Sequence, residues 1–132
     1  MFFPVLREFS PDLILISAGF DSAIGDPLGE IGVTPVGYAY MTWALRKICP
    51  KTVAVLEGGY SLEALQRSSE AVVRTLFLNP ADEDGFNKLV SELADKQNTT
   101  YESLETASNV NVRESFKQIA SNLAKTHKKR WP

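Results

Sequence analysis

Apolar residues are spaced along this chain in two different rhythms. In Pro11-Asp12-Leu13-Ile14-Leu15-Ile16-Ser17, and again in Thr52-Val53-Ala54-Val55-Leu56, they follow one another without alternation. Such runs predict short strands covered on both faces, as in a parallel sheet. Between them the rhythm is helical. Tyr38, Met41, Leu45 and Ile48 recur at helical spacing, Thr34 suits an N-cap, and Pro35 suits the first helical position, where its missing N–H costs nothing. Pro50 ends the run. Strand, helix and strand in this order form a βαβ unit, whose crossover is expected to be right-handed.

Past the second strand come Glu57-Gly58-Gly59-Tyr60 and a second helical pattern. Ser61 is its expected N-cap, with Leu62, Leu65, Val72, Val73 and Leu76 on one face and Asn79-Pro80 closing it. An acidic loop over 80–85 follows, then a short helix marked by Phe86, Leu89, Val90 and Leu93. Residues 97–111 are polar and read as an exposed connection. Val112, Phe116, Ile119, Ala120 and Leu123 then form an amphipathic stripe ending in a basic cluster, Lys125 to Arg130, that suits a helix C-terminus.

The pattern is therefore α/β over residues 1–78 and helical over 79–132. Two strands are too few for a stable parallel sheet, and their exposed edges need partners from outside this sequence. The chain reads as part of a larger α/β domain, with Met1 an internal methionine or the start of a truncated product.

Composition narrows the function classes. Of 132 residues, 44% are hydrophobic and 23% charged, which fits a globular domain and not a disordered tail, a collagen-like repeat or a coiled coil. Lys and Arg number 14 against 16 Asp and Glu. This balance offers no basic excess for phosphate contacts, so direct nucleic-acid binding is not expected. One cysteine, Cys49, and one histidine, His127, exclude an internal disulfide framework and a self-contained Cys/His structural zinc site. Cys49 reads as a small thiol just past a helix, and His127 as part of a surface helix end. No long apolar span suggests a membrane helix, and the start lacks signal-peptide features. A soluble intracellular protein is expected.

The candidate chemistry lies in two loops. In open parallel sheets, ligands bind beyond the carboxyl ends of the strands. The loops leaving those ends are Ser17 to Gly29 and Glu57 to Tyr60. Neighbouring strands would bring Asp21 and Tyr60, 39 residues apart, to one crevice. A carboxylate can ligate a metal, and a phenol can donate a hydrogen bond to a developing oxyanion. Each residue alone has a plainer reading: Asp beside Gly forms turns, Tyr at a helix start packs, and Gly-Gly before a helix can cradle an anion.

Three linked motifs sharpen this. Pro11 to Asp21, then Gly25-Asp26-Pro27-Leu28-Gly29 with Val33-Thr34-Pro35 and Gly37-Tyr38, then Leu56-Glu57-Gly58-Gly59-Tyr60 together resemble the zinc-dependent histone deacetylase family. The Ser-Ala-Gly-Phe-Asp run and Glu57 resemble its class II members, and Thr126 to Trp131 resembles the end of their catalytic domain. The resemblance implies an arginase-like α/β fold, with a parallel sheet flanked by helices, and hydrolysis of the acetyl amide of N-acetyl-lysine. It implies Asp21 as one of three protein ligands to zinc and Tyr60 as the hydroxyl that polarises the scissile carbonyl. Gly58, Gly59 and Leu28 would line the acyl-lysine channel. The family's polyamine-deacetylating branch carries a glutamate where this chain has Leu28, so acetyl-lysine is the implied substrate. An acetylated histone or another acetyl-lysine protein is the implied partner, in nucleus or cytoplasm. The family's Asp-x-His ligand pair and its His-His pair are absent from this sequence. Zinc binding and activity are therefore not expected of the chain by itself, and the alternative is a catalytically inactive fragment acting as an interaction module.

Overall fold

A computed structural model describes residues 2–101. The elements run α1 (Phe2–Phe9), β1 (Ile14–Ala18), α2 (Pro35–Ile48), β2 (Thr52–Leu56), α3 (Leu62–Phe77) and α4 (Glu83–Tyr101). β1 and β2 pair in parallel, with Ile14 opposite Thr52 and Ala18 opposite Leu56. This is the α/β arrangement expected from the apolar runs. The amphipathic stripe at 112–123, the basic cluster and His127 lie outside the described residues.

The helix starts follow the local chemistry. Thr34 Oγ1 accepts from the Gly37 amide at 3.1 Å with Pro35 at the first turn, and Ser61 Oγ accepts from the Ala64 amide at 3.3 Å. Asp82 serves α4 in the same way, its Oδ1 accepting from the Gly85 amide at 2.9 Å. The carbonyls at the end of α3 are held from a distance: Arg46 of α2 donates to Thr75 O at 3.0 Å and also to Leu78 O.

Two small cores hold these elements. Ala18, Phe20, Ala23, Tyr38, Ala64 and Val72 form one between the sheet and helices α2 and α3, with Ile16 and Ala54 packed against it. Ala39, Trp43, Ala71, Phe86, Leu89 and Leu93 form the other among α2, α3 and α4. There the Phe86 ring stacks on Trp43 at 4.5 Å and meets Tyr40 edge-on at 5.1 Å.

Several details depart from the sequence reading. Only one sheet face is covered among the described residues: Leu13, Leu15, Val53 and Val55 stand exposed on the other, Leu15 at 70%. Apolar content reports that a face wants cover, not that this stretch of chain supplies it. Residues 2–9 form a helix that was not anticipated; α1 packs against α2, although Pro4 and the short length weaken its local signal. Met41, Leu62 and Val73 are exposed, while Ala39, Thr42, Ala64, Ser68, Ala71 and Thr75 are buried. Small side chains face inward because α2 and α3 pack together and α2 serves both cores. Finally, α4 runs from Glu83 to Tyr101, overrunning both the expected acidic loop and the start of the expected 97–111 connection. Its polar face is tied to α3 by Arg74 with Glu92 and by Lys96 with Glu70, so polar composition over 83–96 marks a helix face and not a loop.

Candidate active site

Parallel pairing puts the ends of β1 and β2 side by side, so the two loops leaving them meet. The Phe20 amide donates to Gly58 O at 2.8 Å, and the Glu57 amide donates to Ala18 O at 3.2 Å. The half-buried Asp21 side chain lies against the backbone of the second loop. A Cβ on Gly58 would stand 2.8 Å from Asp21 Oδ2, and one on Gly19 would stand 3.3 Å from Oδ1. The carboxylate thus fits between two glycine backbones, and any side chain at Gly58 would displace it. Gly59 has φ +138°, where a side chain would also crowd Leu65 and Phe20.

Tyr60 in the second loop and Leu28 in the same loop as Asp21 are 62% and 67% exposed. The structure therefore brings Asp21 against Gly58 in the turn that carries Gly59 and Tyr60, and leaves Leu28 exposed further along the Asp21 loop.

The loop between β1 and α2 is closed on itself. Val33 N donates to Ser22 O at 2.8 Å and Ile24 N to Val33 O at 2.9 Å. The Tyr38 hydroxyl hydrogen-bonds Ser22 Oγ at 2.8 Å, fastening the loop to α2, and its ring lies 5.1 Å from that of Phe20. Burial pushes the Tyr38 phenol above its ordinary range; the Ser22 bond opposes this, and the charges of Asp21 and Asp26 add to it.

Sequence reasoning gave Asp26 no role of its own, yet it joins the two loops. Its side chain is 7% exposed, and Oδ1 accepts from the amides of Leu28 at 2.9 Å and Gly29 at 3.4 Å. Oδ2 accepts from the amides of Tyr60 at 2.7 Å and Ser61 at 3.2 Å. Desolvation pushes this carboxyl upward, but donation from the Tyr60, Leu28, Gly29 and Ser61 amides outweighs it and holds the group below the usual carboxylate range. Two of the amides that the Gly-Gly turn and helix start could offer an anion, those of Tyr60 and Ser61, already donate to Asp26. An aspartate flanked by Gly25 and Pro27 was the available signal, but local sequence does not show which distant amides it would meet.

Among the described residues, no three His, Cys, Asp or Glu side chains gather where they could hold a metal ion. Asp21 offers one carboxylate. Cys49 is buried at the end of α2, with its Sγ 3.5 Å from Lys51 O. No described helix is long and apolar enough to cross a membrane.

The sequence profile of the histone deacetylase domain matches residues 1–76, more than half of the chain. The chain belongs to the histone deacetylase family. It is 48% identical over 80 residues to histone deacetylase HDA1 of Candida albicans, covering 60% of this chain and 10% of that protein. It is 51% identical over 79 residues to polyamine deacetylase HDAC10 of Homo sapiens, covering 59% and 12%. The crystal structure of the HDA15 HD domain superimposes with a TM-score of 0.57 at 38% identity, covering 74% of this chain and 29% of that one. The family read from the three motifs is thus the family found. The chain spans about a tenth of the length of the curated relatives it matches.

Proposed function

We propose that this chain supplies part of the active site of a class II-like, zinc-dependent lysine deacetylase, which hydrolyses the acetyl amide of N-acetyl-lysine in histones or other proteins. The observation that carries this reading is the meeting of the Asp21 carboxylate with the Gly58-Gly59-Tyr60 turn beyond the carboxyl ends of paired parallel strands. Residues 1–78 are assigned to the C-terminal α/β part of the catalytic domain and 79–132 to a helical C-terminal extension of the same domain. Nucleus and cytoplasm are the compartments proposed for the enzyme.

In this reading Tyr60 is the electrophilic group. Its phenol O–H donates to the amide carbonyl oxygen as negative charge builds there, the kind of contact that strengthens in the transition state. Gly58 and Gly59 are assigned to the wall of the acyl-lysine channel, and Leu28 to packing against the methylenes of the substrate stem. Asp21 is assigned as one carboxylate ligand to zinc. A catalytic zinc ordinarily needs three protein ligands, and the described residues do not furnish them. The donor set here therefore does not make a zinc site by itself, and the remaining ligands and the histidine pair must come from outside this sequence.

Relatives of both kinds, histone and polyamine deacetylases, match this chain. Leu28 favours acetyl-lysine, because an apolar side chain offers nothing to the second cation of a polyamine. The test is a deacetylase domain in which residues 1–76 of this chain replace the matching segment of HDA15. Tyr60→Phe should lower kcat by about 10²–10³ with zinc content unchanged, and Leu28→Glu should shift kcat/KM toward acetylated spermidine. Wild-type turnover by the Tyr60→Phe variant overturns the assignment.

A second reading, an inactive fragment acting as an interaction module, is favoured by the same incomplete donor set and by the open sheet face. The isolated chain should lose zinc on dialysis and should not turn over an acetyl-lysine peptide. Stoichiometric retained zinc, or turnover, would show that the site is complete without other chains.

A further inference from the structure

We propose that Asp26 is a positioning residue: its carboxylate clasps the Leu28 loop to the Tyr60 turn and so sets where the Tyr60 phenol stands in the crevice. This rests on the deacetylase reading of Tyr60 given above, and concerns what holds that residue in place.

All four hydrogen bonds to Asp26 come from backbone amides, two from each loop. Oδ1 takes Leu28 and Gly29, and Oδ2 takes Tyr60 and Ser61 across 34 and 35 residues of sequence. A buried carboxylate with both oxygens doubly occupied is rigid in a way that a single contact is not, since rotating it breaks bonds to both loops together. The Tyr60 side chain itself is exposed, with no hydrogen-bond partner among the described residues. Its position is therefore set through its own backbone. On one side of that backbone stands Gly59 at φ +138°, hemmed in by Phe20 and Leu65. On the other stands Ser61, the N-cap of α3. The shortest bond of the four, 2.7 Å, is the one made by the Tyr60 amide itself.

Asparagine at this position keeps the shape but replaces one acceptor oxygen with a donor NH₂ group, so one loop must lose its partners. Asp26 thus acts through Tyr60 and Leu28, not on substrate.

Two measurements test this. In the chain alone, Asp26→Asn should speed hydrogen exchange of the Tyr60 and Ser61 amides, or of the Leu28 and Gly29 amides, by about tenfold or more while the α2–α3 core keeps its protection. Unchanged protection at all four overturns the proposal. If that variant does not fold, the wild-type chain decides the matter. Scalar coupling across the hydrogen bond between the Tyr60 amide nitrogen and the Asp26 carboxyl carbon should be measurable, and its absence overturns the proposal.

In the HDA15 exchange enzyme, Asp26→Asn should lower kcat more than it raises KM, and should add little to Tyr60→Phe. A merely structural residue would multiply with Tyr60→Phe, and that outcome also overturns the proposal. Should Tyr60→Phe leave the rate intact, the deacetylase role of Tyr60 fails, while the exchange and coupling measurements still decide whether Asp26 holds the turn.

Discussion

Gly29→Ala should destabilise the chain by about 3 kcal/mol, although it adds a single methyl group in an exposed region of sequence. Gly29 passes close to the start of its own loop. A Cβ there would overlap the Asp21 carbonyl oxygen and lie 2.5 Å from the Asp21 carbonyl carbon and 3.0 Å from the Ser22 nitrogen. Carbon atoms prefer roughly 3.5–4.0 Å, so the backbone at Asp21 must retreat by about an ångström. Overpacking of that kind costs about 1–3 kcal/mol. The retreat also loosens two bonds anchored beside it, Ala23 N to Phe20 O at 3.1 Å and Val33 N to Ser22 O at 2.8 Å, worth about 1 kcal/mol each. With a urea dependence of about 1–3 kcal/mol per molar, the midpoint should fall by about 1–3 M at unchanged slope. Far-UV circular dichroism reads the transition, with fluorescence of the buried Trp43 as a second probe. Gly25 is the control. It has φ +89° with nothing within 4 Å of a built Cβ, so Gly25→Ala should lose only about 1–2 kcal/mol, the cost of a left-handed backbone. Gly25→Asn should recover most of that, whereas Gly29→Asn should recover none. A Gly29→Ala midpoint equivalent to less than about 0.5 kcal/mol from wild type would refute the close approach.

The second core offers a simpler test. Phe86 is 2% exposed between Trp43 and Tyr40, and Phe86→Ala should cost about 3–5 kcal/mol by urea denaturation, with a loss under 1 kcal/mol refuting its central place. Acid should destabilise the chain through three depressed carboxyls. Asp26 is held below 3.8 because donation from four amides exceeds its desolvation; Glu70 is held below 4.5 chiefly by Lys96, and Glu92 chiefly by Arg74. Because each folded value lies below the unfolded one, their stabilisation is present above those ordinary values and is lost as pH falls through the depressed ones. The urea midpoints of wild type and Asp26→Asn should therefore differ at pH 6 and converge toward pH 3. A gap that stays constant over that range would refute the assignment to Asp26.

Local sequence determined a good deal of this protein. The strands at Ile14–Ala18 and Thr52–Leu56 were legible because unbroken β-branched and aliphatic runs suit few other structures, and Thr34-Pro35 and Ser61 announced two helix starts because capping is a short-range hydrogen bond. The meeting of the Asp21 loop with the Gly58-Gly59-Tyr60 turn was legible because both leave the carboxyl ends of neighbouring parallel strands, and three spaced motifs specified the family. What could not be read were properties of contact between distant segments. Which faces of α2 and α3 are buried depended on Ala39, Ser68, Ala71 and Thr75, small residues that carry little hydrophobic signal but permit close helix packing. The ion pairs that tie α4 to α3 join residues 18 and 26 apart, and the open face at Leu15 and Val55 depended on which segments are at hand to cover it. The role of Asp26 was hidden most completely. Four amides from two loops, up to 35 residues away, converge on one carboxylate only after the sheet has paired. A hydrogen-bond acceptor reads the same in sequence whether it faces water or a neighbouring backbone, and only tertiary structure chooses between them.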